Sequence, residues 1–453
     1  MTTRPAPSVL RELINLAWPV IGLNVLAVLS LAVDTAMIGR TAQADAALTG
    51  LGFAVQTIFL LMVAMMGLAV GAVAMVSRAH GARDPERARF VVEQSVVVAL
   101  LLGLLTAGLG NLLAEPFIGL LGGSGEDRAQ ALRYLRPLLL FSPFNYLSIL
   151  FTAVLRGVGN TRLPFLVALA SNLVNLFCNY VLIFGKLGIP ALGMLGAALG
   201  TGISQIFSVV VVGTLLVSGR VPALVLKARL VRPQLAFTRD LFRIGAPAAL
   251  DMVVLNAGML SIIGMIGRID PLAVAAHGMG LRIQALAFVP GMSIAQAIAA
   301  LTGQALGARD PERVRRVLRN GIGLCVAIMT TLGVLLALNA HSIVRVFDLV
   351  PESPLGVYTQ TWMRILGYTM TPVGFFLGLT GFFQGAGQTR VPLVINTLST
   401  FLVLMPLSWI LGFGFDLGVA GVWAGLPLSF VAKAALAGWA YKREGVATIS
   451  TPS

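Results

Sequence analysis

Charge is scarce in this sequence. Asp, Glu, Lys and Arg together make up 11% of the residues, against about a quarter in an ordinary soluble domain. So few charges cannot cover a water-facing surface, so lipid is the expected solvent for much of the chain. A hydrophobic content of 57% excludes a disordered chain on the same ground. Cysteine is almost absent. Cys178 and Cys325 both lie in apolar stretches, which excludes a disulfide framework and a cysteine metal site, and both read as small core residues. His80, His277 and His341 are too scattered to ligate a metal. The sequence contains no HExxH, GxSxG or Walker A pattern. No enzyme activity, cofactor or ATP-driven step is therefore expected.

The net charge of +14 is the one feature that could suggest nucleic acid. The Lys and Arg residues sit in short gaps between apolar stretches. They build no basic helix face and no patch interleaved with aromatics, so nucleic acid is rejected as a partner. In a membrane protein such gaps report topology.

What the sequence does have is long apolar runs. A membrane helix needs about 20 apolar residues. Twelve segments qualify, at 11–38, 46–76, 90–114, 130–156, 162–184, 193–217, 240–266, 272–302, 318–338, 357–384, 390–412 and 418–441. Several exceed what a bilayer requires, so tilted or bent helices are expected. The first run is too long for a signal-peptide core and is read as a span. Most Lys and Arg fall on one side if the N-terminus is cytoplasmic, including Arg83, Arg87, Arg309, Arg313 and Lys442. Glu126, Asp127, Glu352 and Asp416 fall on the other. By the positive-inside bias both termini are cytoplasmic. The expected fold is an all-α polytopic membrane protein in a bacterial inner membrane, working as a monomer in the lipid bilayer.

The chain repeats itself. GARDPER occurs at 81–87 and again at 307–313. RGVGNTRLP at 156–164 pairs with QGAGQTRVP at 384–392. Pro19 pairs with Pro247, and IGR at 38–40 with IGR at 266–268. Each pair is offset by 226 to 228 residues. Six helices per half make the repeats parallel, around an axis along the membrane normal, with a central cavity suited to alternating access. The division expected is an N-terminal lobe at 1–225, a cytoplasmic linker at 226–239 and a C-terminal lobe at 240–453.

An ionisable side chain inside a span costs several kcal/mol, by an amount that is disputed. Each one therefore needs a reason. The inventory is Asp34, Asp251, Arg282, Arg364 and Lys433, with Glu93 and Glu115 nearer span ends. Asp34 has no Lys or Arg within a turn of it. A lone carboxylate there must take up a proton or hold a cation, unless it is a structural, hydrogen-bonded Asp. Asn172, Asn175 and Asn179 form a polar stripe on span 5. Depth counts bring Asn175, Asn179 and, in span 6, Thr201 level with Asp34, with Gln205 one turn below. A carboxylate with amide and hydroxyl oxygens suits a proton or a hard monovalent cation. The cation-coupling set is thus Asp34, Asn175, Asn179 and Thr201, supported by Asn172 and Gln205. Interhelical hydrogen bonding is the plainer reading of each Asn. Moving 228 residues on from Asp34, Asn175 and Asn179 gives Ile262, Val403 and Leu407, so the second half is expected to lack this cluster. Asp251 is a candidate for the substrate cavity, with an equal claim to a structural role beside Pro247. Arg282 and Arg364 are expected to face the interior or pair with acids. Pro19 and Pro247 are expected helix bends.

These residues resemble the multidrug and toxic compound extrusion (MATE) family over nearly the whole chain. The resemblance rests on Pro19, VDTAMIGR at 33–40, GARDPER in both halves, LRGVGNTRLP at 155–164, the N-x3-N-Y run at 175–180 and GMLGAALGT at 193–201. It implies twelve helices in two lobes, and export of amphipathic or cationic small molecules in exchange for protons or sodium ions. It also implies an essential acid at Asp34, a helix-5 pair at Asn175 and Asn179, and a helix-6 threonine at Thr201. The chain is more similar to the DinF-like branch. It departs from that branch in having Asn at 179, where many members have Asp, which favours protons. It departs from the NorM-like branch in having no acid in span 10, which confines coupling to the N-terminal lobe. Two other readings are a lipid-linked oligosaccharide flippase of the same superfamily and a membrane enzyme or assembly subunit. The span count and the few intramembrane Arg speak against the first. The lack of a catalytic cluster speaks against the second.

Overall fold

The computed structural model describes residues 8–41, 44–227, 231–347 and 349–445. It is all-helical, with no strand among the described residues. The membrane helices are α1 (Val9–Ile38), α2 (Ala44–Gly81), α3 (Pro85–Leu120), α4 (Gly125–Leu140 with Ser142–Gly157), α5 (Arg162–Phe184) and α6 (Met194–Val217). They continue with α7 (Leu235–Gly267), α8 (Pro271–Gly307), α9 (Pro311–Leu338), α10 (Pro354–Gly385), α11 (Arg390–Gly414) and α12 (Gly418–Gly445). Eleven are single helices long and apolar enough to cross a membrane, and α4 makes the twelfth as a pair bent by 60°. A short helix, Ala340–Val346, follows α9. Large apolar side chains such as Leu112, Leu120 and Leu338 are left exposed. Lipid is the solvent that accepts them.

The repeated GARDPER segments are helix starts. Arg83 and Arg309 take left-handed backbone angles, at φ 56° and 54°. Asp84 and Asp310 then cap the next helix, each accepting from the backbone N–H three residues on (Arg87 and Arg313) at 2.8 Å. Pro85 and Pro311 occupy the first turn, where no N–H is needed.

The helices pack as two compact units. One runs from Gly22 to Ala249, and the other combines the chain up to Ile21 with Leu250–Ser453. The linker 226–239, of which residues 228–230 lie outside the described residues, divides the chain into two sets of six helices. Packing exchanges an arm between those sets. In the first unit the early turns of α7 lie against α2, where a Cβ on Gly67 would strike the Gly245 carbonyl and Ala249. Only glycine lets the backbones come so close. In the second unit Leu13, Leu16 and Ala17 of α1 join a core with Ile294 and Ile298 of α8 and Ala437 of α12. The Glu12–Arg313 ion pair at 2.9 Å ties the same arm down. Each exchange ends two residues after a proline, Pro19 in α1 and Pro247 in α7. Both helices run unbroken through it. In the first unit the linker is held to α3, because Gln94 donates to the Arg232 carbonyl and accepts from the Gln234 N–H, both at 2.9 Å.

A candidate cation-coupling site in the first unit

Asp34 lies four residues before the end of α1 and is buried. The Asn179 amide on α5 donates to its Oδ1 at 2.7 Å. The same Nδ2 is 3.3 Å from Asn175 Oδ1, one turn away on the same face. The Asn175 amide in turn reaches Thr201 Oγ1 on α6 at 3.4 Å. The structure thus joins the four residues of the expected coupling set into one chain of hydrogen bonds across α1, α5 and α6. Asn179 Oδ1 is buried and has no partner among the described residues. In this arrangement the amide donates to an ionised carboxylate. Turned over, its oxygen would accept from a protonated Asp34. One side chain therefore serves either protonation state.

Two neighbours complete the site. Tyr134 of α4 is buried, hydrogen-bonds Thr201 and feels the Asp34 charge. Gly200 lies beside the Asn179 amide, and a Cβ there would overlap its carbonyl oxygen. Sequence reasoning missed both residues. Gly200 stands next to Thr201 in the chain, which is a usable signal. Tyr134 sits in the half of α4 with the Arg-rich pattern and gives no signal in one dimension.

A cavity of about 230 Å³ opens beside this network within the same unit. Tyr134 and Thr201 belong to both. Its wall is mostly apolar, from Leu31, Val55, Ile58, Leu61 and others. Gln205 and Asn145 also line it, and each carries a buried carbonyl oxygen without a partner among the described residues. Asn172 is not in the Asp34 network. It donates to the Ala168 carbonyl at 2.9 Å and lines a smaller cavity of about 120 Å³ with Ser148, Ser171 and Ser208.

The second unit departs from expectation at three places. Arg282 and Arg364 are exposed, not interior. A long side chain on the lipid-facing side of a helix can carry its charge to the headgroup level. Asp251 is buried, and the Asn396 amide of α11 donates to it at 2.6 Å. The second half therefore has a polar cluster of its own, in a different register from the first.

Known proteins match this arrangement over its full length. The MatE family model matches residues 19–181 and 247–410, one block in each half. "Probable multidrug resistance protein NorM" of Thermotoga maritima is 28% identical over 433 residues, covering 95% of this chain and 91% of its own. "Probable multidrug resistance protein YoeA" of Bacillus subtilis is 27% identical and covers 94% of this chain and 91% of its own. A crystal structure of a MATE protein in a bent conformation superposes with a TM-score of 0.90 at 21% identity, covering 98% of each chain. With both halves matched, the chain, a multi-pass membrane protein, belongs to the MatE family.

Proposed function

We propose that this protein exports amphipathic, cationic small molecules by antiport against a cation, and that the cation is a proton carried by Asp34. The observation that carries the reading is the Asp34–Asn179–Asn175–Thr201 chain, joined through Tyr134 and Thr201 to the wall of an apolar cavity. A buried carboxylate with no cationic partner must be neutralised when its surroundings close, and a proton or ion from outside does that. The printed names of the NorM and YoeA relatives point to drug export. The cavity wall fits such cargo, since it offers apolar surface for the body of the molecule and carbonyl acceptors for an ammonium or amide donor.

In the cycle we infer, cargo occupies the cavity while Asp34 is empty. A proton arriving at Asp34 from outside turns the Asn179 amide and draws α1 toward α5. This reshapes the cavity wall at Leu31, one turn from Asp34 on the same helix, and expels the cargo. Release of the proton to the cytoplasm resets the site, so alternating access follows from the cation's unequal affinity for the two states. Two features support the DinF-like branch and coupling confined to the first unit. One is that the acid lies in α1. The other is that α10 contains no acid. Orientation with both termini in the cytoplasm of a bacterial inner membrane follows from the basic residues.

The test is efflux of a fluorescent lipophilic cation from proteoliposomes under an imposed proton or sodium gradient, for wild type and Asp34→Asn. A proton gradient alone should drive wild-type efflux, and Asp34→Asn should abolish it. Efflux driven by sodium alone would keep the site and replace the ion. Normal efflux by Asp34→Asn would refute the coupling assignment.

A further inference from the structure

The second unit contains a carboxylate–amide pair built like that of the first. Asp251 is on α7 and Asn396 on α11, the first and fifth helices of their half. Asp34 and Asn179 are on α1 and α5. In each pair an Asn Nδ2 donates to an Asp Oδ1, at 2.6 and 2.7 Å. In each the Asn Oδ1 is buried without a partner among the described residues. The residues of each pair are 145 apart in the chain. Both members of the second pair have slid together along their helices. Eleven residues separate Asp251 from Ile262, the repeat counterpart of Asp34. Eleven also separate Asn396 from Leu407, the counterpart of Asn179. At 1.5 Å per residue the second pair lies about 16 Å nearer the helix starts.

The two pairs differ in one respect. Lys433 of α12 is buried, at 3% exposure, and is the charged group that acts on Asp251. Its ammonium lies 4.6 Å over the Phe430 ring and 6.0 Å from that of Phe376, which hold a cation in place within an apolar surrounding. Lys433 stands at the repeat counterpart of Gln205, as Ser429 stands at that of Thr201. The other charged or titratable groups of this unit are placed elsewhere. His277 is packed on Trp362 and Trp423, Glu12 is paired with Arg313, Tyr358 is bonded to Asp270, and Arg282, Arg364 and Tyr368 are exposed.

We propose that Lys433 is a tethered counter-ion, holding for Asp251 and Asn396 the place that a cation from solution takes at Asp34 and Asn179. The second unit then keeps the carboxylate–amide device but is closed to the coupling ion, because the neutralising charge is built into the chain. Lys433 is thus a specificity-determining residue: it fixes the number of exchangeable cation sites at one. Removing the ammonium leaves Asp251 as a lone buried carboxylate, which must take a proton or ion from solution as Asp34 does. This inference rests on the reading of Asp34 as the coupling carboxylate.

The experiment is infrared difference spectroscopy of the full chain in lipid bilayers, following the carbonyl stretch of protonated carboxyls. The pH is lowered through the range in which exposed carboxyls stay ionised. Lys433→Gln, which installs the residue of the first repeat, should add a second protonated-carboxyl band. Adding Asp251→Asn should remove that band, while adding Asp34→Asn should leave it. Lys433→Arg should keep the wild-type spectrum. If Lys433→Gln fails to fold, the account requires Asp251→Asn to rescue it, since the double variant buries no unpaired charge. The proposal is overturned if Lys433→Gln adds no band, if its misfolding is not rescued, or if Asp251→Asn alone removes a band from the wild type. Failure of the Asp34 reading shows separately, as a wild-type band that survives Asp34→Asn.

Discussion

Gly200 sets how near α6 comes to the Asn179 amide, and so how freely that amide can turn. Alanine is the best helix former and leaves α6 intact. Its methyl group would nevertheless overlap Asn179 Oδ1. Gly200→Ala should therefore cut efflux at least tenfold, as expected for a lost charge-assisted hydrogen bond worth about 1.5–3 kcal/mol. Its thermal unfolding should stay near wild type. Proteoliposome efflux beside a melting curve checks both halves of this expectation. At this scale the sequence was informative where chemistry is rare. An Asp without a basic neighbour, an Asn stripe and a Thr at matching depth could be read from composition and helical spacing. The pair Asp251 and Asn396 could not. The comparison at a fixed offset of 228 residues passes over it, because both residues moved by the same three turns. A packed pair can slide along two helices and keep its contact, and only the structure shows that it has.

Among the elements, the repeated GARDPER turns carry a local device. A left-handed Arg, an Asp cap and a Pro in the first turn start α3 and α9 in the same way. Asp84→Ala should cost about 1 kcal/mol of stability, read as a lowered melting temperature, with efflux per folded molecule unchanged. The ends of the helices were legible to within a few residues because hydropathy marks them. The 60° break in α4 was not, since Leu140, Phe141 and Ser142 interrupt neither hydropathy nor charge. Pro143 lies in the first turn after the break, where proline is tolerated, so it reads in one dimension as an ordinary helix start.

For the whole molecule, the exchange of arms means that neither set of six helices along the chain is a self-sufficient unit. The early turns of α7 cover the glycine face of α2, yet they lie beyond the linker. A fragment ending at residue 249 should resist proteolysis better than one ending at residue 227, with the difference seen in the α2 peptides. Equal resistance would mean that the α7 arm adds nothing to the first unit. Repeats in the sequence revealed two halves, but nothing in one dimension shows which half an arm packs against.

The central claim is that cargo and cation are linked through Asp34. By linkage, cargo that favours the empty site must expel the cation that favours the loaded one. The direct measurement is proton release on adding a lipophilic cation to the purified protein in weakly buffered detergent solution, for wild type and Asp34→Asn. The account predicts release by the wild type and none by Asp34→Asn, with cargo still bound by both. Equal release by the two proteins would contradict it.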